Sequence, residues 1–283
     1  MRPAMRPTRA VARPVLDPEP LGEYSLCPNN LRMGDTALPK NRIPVAIQLY
    51  SLRDVTPQDV PGTLRKVAAM GYAGVEFAGT YDLDGSALRA LLDGCQLRCA
   101  GAHVGLNELE GDAFEKTVAL NRLLGNDRLI VPGADLQDLS RTIARLNAAH
   151  VRAKARGMRV GFHNHTREFD VENGVTKFDR LFAETPADFL VQLDIGWAVC
   201  ARQDVPAILR KYGRRIETVH VKEFSPDNPK AAVGEGSVQW PAIFDVLEQE
   251  TSVKWYIVEQ EQYAIGPLES AQTCLDNIRK LGR

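Results

Sequence analysis

No apolar run in this 283-residue chain approaches the roughly 18 residues that a membrane-crossing helix requires. Nor is there a surplus of charge. Lys plus Arg number 35 and Asp plus Glu 36, a net charge of −1, which argues against a nucleic-acid partner held on a broad basic face. Phosphate-binding glycine loops are missing too: the chain has neither G-x-G-x-x-G nor a P-loop, only the G-x-G of Gly234 and Gly236. The five cysteines, Cys27, Cys95, Cys99, Cys200 and Cys274, are odd in number and scattered. That pattern is neither a disulfide framework nor a paired zinc site, and it fits free thiols in a reducing, cytoplasmic setting. What remains is a composition 44% hydrophobic and 25% charged, ample for a globular core.

The first forty residues differ from the rest. They hold seven of the 17 prolines, and Arg2, Arg6, Arg9 and Arg13 precede any acid. No apolar segment follows, as a secretory signal would need, and the prolines would break an amphipathic presequence helix. Residues 1–40 read as a Pro/Arg-rich disordered tail and residues 41–283 as one domain.

From Ile43 onward a short β-branched or apolar run alternates with a helical stretch, at a beat of about 30 residues. Strands are expected near 43–50, 73–78, 98–104, 127–132, 158–165, 188–195, 215–222 and 253–260. Glycines expected to close helices in left-handed geometry are Gly71, Gly94, Gly125, Gly157, Gly213 and Gly282. Thr56-Pro57 reads as one helix start, and Asp135 as the cap of a helix over Leu136–Arg156, whose Leu139, Ile143 and Leu146 make an apolar stripe. Such alternation implies a parallel sheet, and eight units can close into an α/β, (β/α)8 TIM barrel. An open doubly wound sheet is the rival, but it would more often show a glycine-rich loop after the first strand. Here that loop reads Gln48-Leu49-Tyr50-Ser51-Leu52-Arg53-Asp54.

In such a barrel the chemistry lies at the C-terminal ends of the strands. Those ends carry Glu76, His103, His163-Asn164-His165 with Glu168 just beyond, Gln192-Leu193-Asp194, His220-Val221-Lys222 and Glu259-Gln260-Glu261. Side chains alternate faces along a strand, so His163 and His165 share a face, as do Gln192 and Asp194, His220 and Lys222, and Glu259 and Glu261. Four of the five histidines stand at strand ends; the fifth, His150, falls within a helix as a surface or packing residue. Imidazoles and carboxylates converging from neighbouring strands suit a divalent ion: Mn²⁺, Mg²⁺, Co²⁺ or Zn²⁺.

These segments, in this order, resemble the sugar phosphate isomerase/epimerase family of the xylose-isomerase-like barrels over about residues 43–281. The resemblance rests on Ile47-Gln48-Leu49-Tyr50-Ser51-Leu52-Arg53-Asp54, Gly74-Val75-Glu76-Phe77, Phe162-His163-Asn164-His165 and Gln192-Leu193-Asp194-Ile195-Gly196-Trp197. It rests also on Val219-His220-Val221-Lys222-Glu223, Val233-Gly234-Glu235-Gly236 and Tyr256-Ile257-Val258-Glu259-Gln260.

The resemblance implies a metal held by Asp194, His220, Glu259 and one fifth-strand group. Many relatives carry Glu-Asn-His there; this chain has His163, so the fourth ligand is either His163 or Glu168. Glu168 is preferred because a carboxylate preserves the ligand charge. The family's isomerases move a proton between adjacent sugar carbons through an enediolate, which implies Glu259 as ligand and base and Glu168 or His165 as its counterpart. Glu76, His103, His163, Trp197 and Lys222 are then candidates to bind substrate. The function so implied is isomerisation or epimerisation of a sugar, keto-sugar or polyol. The alternatives are a 3-keto-glycoside lyase or hydrolase, an inosose-type dehydratase, or a sugar-binding barrel without catalysis. The partner expected is a small carbohydrate, with no nucleic acid and no membrane. The family's barrels often associate, so a homo-oligomer is left open.

Overall fold

The structure, a computed structural model, describes residues 42–283; the tail expected over 1–40 lies outside the described residues. The barrel strands are β1 (Val45–Gln48), β2 (Gly74–Phe77), β3 (Arg98–His103), β4 (Arg128–Val131), β5 (Arg159–His163), β6 (Leu190–Asp194), β7 (Thr218–Val221) and β8 (Trp255–Val258). Each is parallel to the next, and β8 returns to β1 through Val45 opposite Tyr256, closing the barrel. Among the described residues no helix is long and apolar enough to cross a membrane.

Outer helices follow the strands: α1 (Val60–Met70), α2 (Gly85–Gly94), α3 (Ala113–Leu123), α4 (Leu139–Lys154), α5 (Lys177–Ala183), α6 (Ile195–Cys200), α7 (Val205–Tyr212), α8 (Trp240–Glu250) and α9 (Pro267–Lys280). A two-residue hairpin, Val171–Glu172 against Val175–Thr176, interrupts the connection between β5 and β6. In α1, Val60, Leu64 and Val67 turn onto the sheet and are buried. Burying each such side chain stabilises the fold by about 1.5–3 kcal/mol.

Two helix starts differ from expectation. In α1 the cap is Asp59, whose side chain accepts from Gly62 N, while Thr56 Oγ1 donates to Leu52 O within the preceding turn. In α4 the cap is Asp138, not Asp135, which instead accepts from Gln137 N and turns the loop. An acid three residues further on offered an equally good cap, and the loop's own turn decided between them. Gly71, Gly125, Gly157 and Gly282 take the left-handed conformation expected of them. Gly94 is the last residue of α2 and Gln96, just past the helix, takes positive φ instead, while Gly213 is right-handed.

The N-terminal end of the barrel is stoppered. Trp255 packs with Ala46, Ala100 and Ile257, and the Arg98 guanidinium stacks on its ring at 4.4 Å. Beside it Glu217 gathers Arg128 (3.3 Å), Lys254 (2.9 Å) and Arg159. Arg159 and Lys254 outweigh the cost of part-burying the carboxylate and hold Glu217 down at about 2. The opposite end carries the strand-terminal polar residues.

Candidate functional site

Glu76, next to last in β2, has no exposure at all. A register shift between Val75 and Glu76 sets Val75 opposite Cys99 but Glu76 opposite Gly101. A Cβ on Gly101 would lie 2.6 Å from Glu76 Oε1, so only glycine leaves room for this carboxylate. Glu76 Oε2 accepts from Gln48 Nε2 (2.8 Å) and His220 Nε2 (2.7 Å), and His103 Nε2 lies 3.2 Å away; Oε1 accepts from Gln192 Nε2 (2.7 Å). Burial opposes the charge, but His103, His220 and these hydrogen bonds outweigh it and keep the carboxyl below its usual range. Glu76, expected as a substrate contact, is hydrogen-bonded here to Gln48, Gln192 and His220.

Three imidazoles lie above it. The rings of His103 and His220 stack at 5.2 Å, and His163 meets His220 edge-on at 4.5 Å. Gln192 Oε1 accepts from His103 Nε2 (2.7 Å) and His163 Nδ1 (3.2 Å), which fixes the tautomer of both rings. Burial pushes His163 well below the ordinary imidazole range, with repulsion from His220 adding to it, and burial lowers His103 as well. Both are therefore neutral. His220 differs because two carboxylates face it: Nε2 donates to Glu76 and Nδ1 to Glu259. Burial alone would lower its pKa, but Glu259 and Glu76 raise it to about 10.

Asp194 ends β6 and begins α6. Its Oδ1 accepts from Trp197 N at 2.8 Å, capping the helix, while its backbone N donates to Asn164 Oδ1 at 2.9 Å. Oδ2 is buried with no hydrogen-bond partner. Burial raises this carboxyl to about 7, against the pull of Lys222. Gly196 lets the helix start approach: a Cβ there would lie 2.7 Å from Lys222 O. Glu259 follows β8. Burial would raise its pKa, but His220 and Lys222 hold it well below the usual range.

Ligand atoms of His163, Asp194, His220 and Glu259 all lie within 4.8 Å of one another, and His103 joins His163 and His220 in a second such group. The orphaned Asp194 Oδ2 tests the fit of a cation. A buried carboxylate oxygen without a donor is costly, and a divalent ion among two imidazoles and two carboxylates satisfies it. These residues fit a metal.

Glu168, preferred from sequence as the fifth-strand ligand, stands apart from this group. It is buried, and its Oε2 accepts from His165 N at 2.8 Å, locking the turn after β5. The strand itself stops at His163, so His165 does not simply repeat its face; it stands edge-on to His163 at 5.0 Å and lines the mouth. Lys222 is buried beside the pair, bonded to Glu261, 3.9 Å from Glu259 Oε1 and 4.7 Å above the Trp197 ring. His150 is buried against Phe189 and bonded to Asp188, a packing residue.

The mouth has two lobes with Glu259 and Glu261 in both linings. One is lined by His103, His163, His165 and Glu108; the other lies between Trp197, Lys222, Phe224 and α9. Sequence reasoning missed Gln48, Thr218 and Glu223. Gln48 carried the clearest signal, as the last residue of β1. Thr218 Oγ1 accepts from Gln192 Nε2 (3.0 Å), and Glu223 accepts from three backbone N–H groups of its own loop and from the Trp240 indole of α8.

Three kinds of comparison bear on this geometry. A family model described as xylose isomerase-like TIM barrel matches residues 64–281. The inosose dehydratase of Clostridium botulinum is 28% identical over 150 residues, 44% of this chain and 49% of that protein. The chain thus spans about half the length of the inosose dehydratases it matches. The rhizopine catabolism protein MocC of Rhizobium meliloti is 26% identical over 263 residues, 77% of this chain and 80% of that one. A sugar phosphate isomerase/epimerase structure from Parabacteroides distasonis superposes with a TM-score of 0.73 at 23% identity, covering 83% of this chain and 97% of that one. At this identity the likeness is one of fold.

Proposed function

The chain belongs to the xylose isomerase-like TIM barrel family, and from that premise we propose a metal-dependent enzyme that moves a proton next to the carbonyl of a sugar, keto-sugar or polyol. The observation that carries this is the buried set His163, Asp194, His220 and Glu259, with Asp194 Oδ2 left without a partner. A divalent ion held there would polarise the substrate carbonyl and acidify the neighbouring C–H bond.

The chain's own groups do the rest. Glu259, kept ionised by His220 and Lys222, accepts the proton. His165, in the same lobe, is the group placed to return one, ahead of Glu168, whose carboxylate is occupied by the turn. Lys222 orients a substrate oxygen beside Glu259, and His103 borders the same space. Return of the proton to the same carbon epimerises it; return to its neighbour isomerises the sugar.

A second reading is dehydration, in which the same abstraction expels a β-hydroxyl as water. The specific observation favouring it is that sequence relatives include inosose dehydratases. Proton NMR in deuterated water tests both on ketoses, keto-inositols and 3-keto-glycosides with a divalent ion added. Deuterium entering the carbon next to the carbonyl without a new double bond marks the isomerase or epimerase. An unsaturated product marks the dehydratase. No exchange on any of these substrates refutes the proposal.

A further inference from the structure

Of the segment Gln48-Leu49-Tyr50-Ser51-Leu52-Arg53-Asp54, the hydrogen-bond network around Glu76 takes up only Gln48. The rest of that loop reaches across the seam where the barrel closes, from β1 to the connection that leaves β8. This connection carries Glu259, Gln260 and Glu261, and little else sets its path. Glu259 lies one residue past β8, and its backbone N–H makes only a long bond to Val221 O (3.4 Å). Beyond it neither strand nor helix directs the chain until α9 begins at Pro267.

Two residues of the β1 loop supply the hold. Ser51, buried, accepts from Gln260 N through Oγ (3.0 Å) and from the Tyr263 hydroxyl through its carbonyl (2.7 Å). Arg53 donates from Nη1 to the Tyr263 hydroxyl (2.9 Å) and to Tyr50 O (3.0 Å), and from Nη2 to Glu261 O (2.6 Å). All three acceptors are neutral oxygens, so the guanidinium fastens loops together rather than completing an ion pair, and its charge strengthens each bond. The ring centres of Tyr50 and Tyr263 lie 4.6 Å and 5.6 Å from the guanidinium carbon, which confines the fork. The hold extends to side chains. Glu261 is bonded to Lys222, which stands 3.9 Å from Glu259 Oε1. Glu259 is thus fixed between the end of β8, the Ser51 bond to the next residue and the Arg53 bond to the one after.

We propose that Arg53 is a positioning residue for Glu259: by clamping the 259–263 segment to the β1 loop, it sets where that carboxylate stands in the metal-ligand set. The proposal rests on the metal-centred reading above and adds to it a residue outside the ligand group.

Co²⁺ alone is the probe, titrated calorimetrically into the metal-free full chain, with the visible absorption of the bound cobalt recorded alongside. Arg53→Ala should weaken Co²⁺ binding by about 10–100-fold, the usual effect of losing a group that orients a ligand, and should change the cobalt spectrum. Arg53→Lys keeps the charge but not the fork, and should fall between the two. Tyr263→Phe removes the hydroxyl that bridges Arg53 and Ser51, and should cause a smaller loss. It carries the test if Arg53→Ala fails to fold. Gln58→Ala cuts the bond from Gln58 Nε2 to Asp54 O just beyond the clamp, and should leave affinity and spectrum as in the parent, which separates positioning from general loosening. A folded Arg53→Ala or Tyr263→Phe with parental affinity and spectrum overturns the clamp and leaves the metal reading standing, as does an equal loss in Gln58→Ala. A parent that takes up no Co²⁺ at millimolar concentration overturns the metal reading and the clamp with it.

Discussion

Glu76 Oε2 accepts a hydrogen bond from His220 Nε2 at 2.7 Å, with no exposed surface on either side chain. Each fixes the other: the carboxylate sets the ring's orientation, and the ring helps a buried carboxylate keep its charge. Glu76→Gln should therefore weaken divalent-metal binding by about 10–100-fold although Glu76 is not itself in the ligand group. Calorimetric metal titration checks this. Glu76→Ala should be worse, since removing one partner of a buried ion pair typically costs about 3–5 kcal/mol of stability, read in urea unfolding.

Asp194 serves two ends with its two oxygens, and they can be separated. Asp194→Asn keeps an oxygen for the Trp197 cap but loses the charge that a cation needs. Metal at about a thousand times its Kd should raise the parent's melting temperature on the order of 8–16 °C, from roughly 4 kcal/mol of linkage. The variant should melt near the metal-free parent and gain little from metal. With two imidazoles among the ligands, Co²⁺ and Zn²⁺ should stabilise more than Mg²⁺. Differential scanning fluorimetry across the metals decides both points.

Glu259→Gln should slow exchange of solvent deuterium into the substrate by about 10²–10⁴-fold at saturating metal, the usual loss of a general base. His150→Ala should leave the rate alone, because His150 packs on Phe189 in α4, away from the mouth. It should instead lower stability by about 1–3 kcal/mol through the lost buried contacts. Near-normal exchange in Glu259→Gln would pass the base's role to His165.

Glu217 predicts a pH dependence of folding. Its folded pKa of about 2 lies below the ordinary 4.5, so the stability it adds is fully present above about 4.5 and is lost as pH falls toward 2. Part exposure of the cluster screens the effect, leaving on the order of 1–2 kcal/mol. Glu217→Gln should lower the unfolding free energy from urea titration at neutral pH by that amount and flatten its fall below pH ~4.5. Parallel pH profiles of the two proteins would rule against the cluster's contribution.

Every barrel strand and packed helix of the described residues lies between Val45 and Lys280. A chain starting at residue 42 should therefore keep the parent's melting temperature. A drop of more than about 5 °C, on the order of 2 kcal/mol at this size, would show that residues 1–41 stabilise the barrel.

Most of the barrel was legible because strand–helix alternation is written in hydrophobic periodicity, and all eight strands fall on the expected runs. Helix starts were less so. Thr56 and Asp59, or Asp135 and Asp138, are chemically equal candidates until the loop before them is folded. At the site, period two suffices to bring Asp194, His220 and Glu259 to one end. It does not say that the chain leaves strand geometry after His163, which turns Glu168 onto the backbone of His165. Nor could it reveal Gln48 and Gln192 as the hinge of a buried network. An amide carries no charge to mark it, and its value here comes from bonding at both ends.

The stopper of Trp255 and the Glu217 cluster closes the barrel's N-terminal end, opposite the metal-ligand set. On the function proposed above, a molecule reacting at Glu259 would leave by the mouth it entered, since among the described residues Trp255 and this cluster occupy the opposite end. Product and incoming substrate queue for one opening, so product should act as a competitive inhibitor, and its escape sets a ceiling on turnover however fast the proton moves.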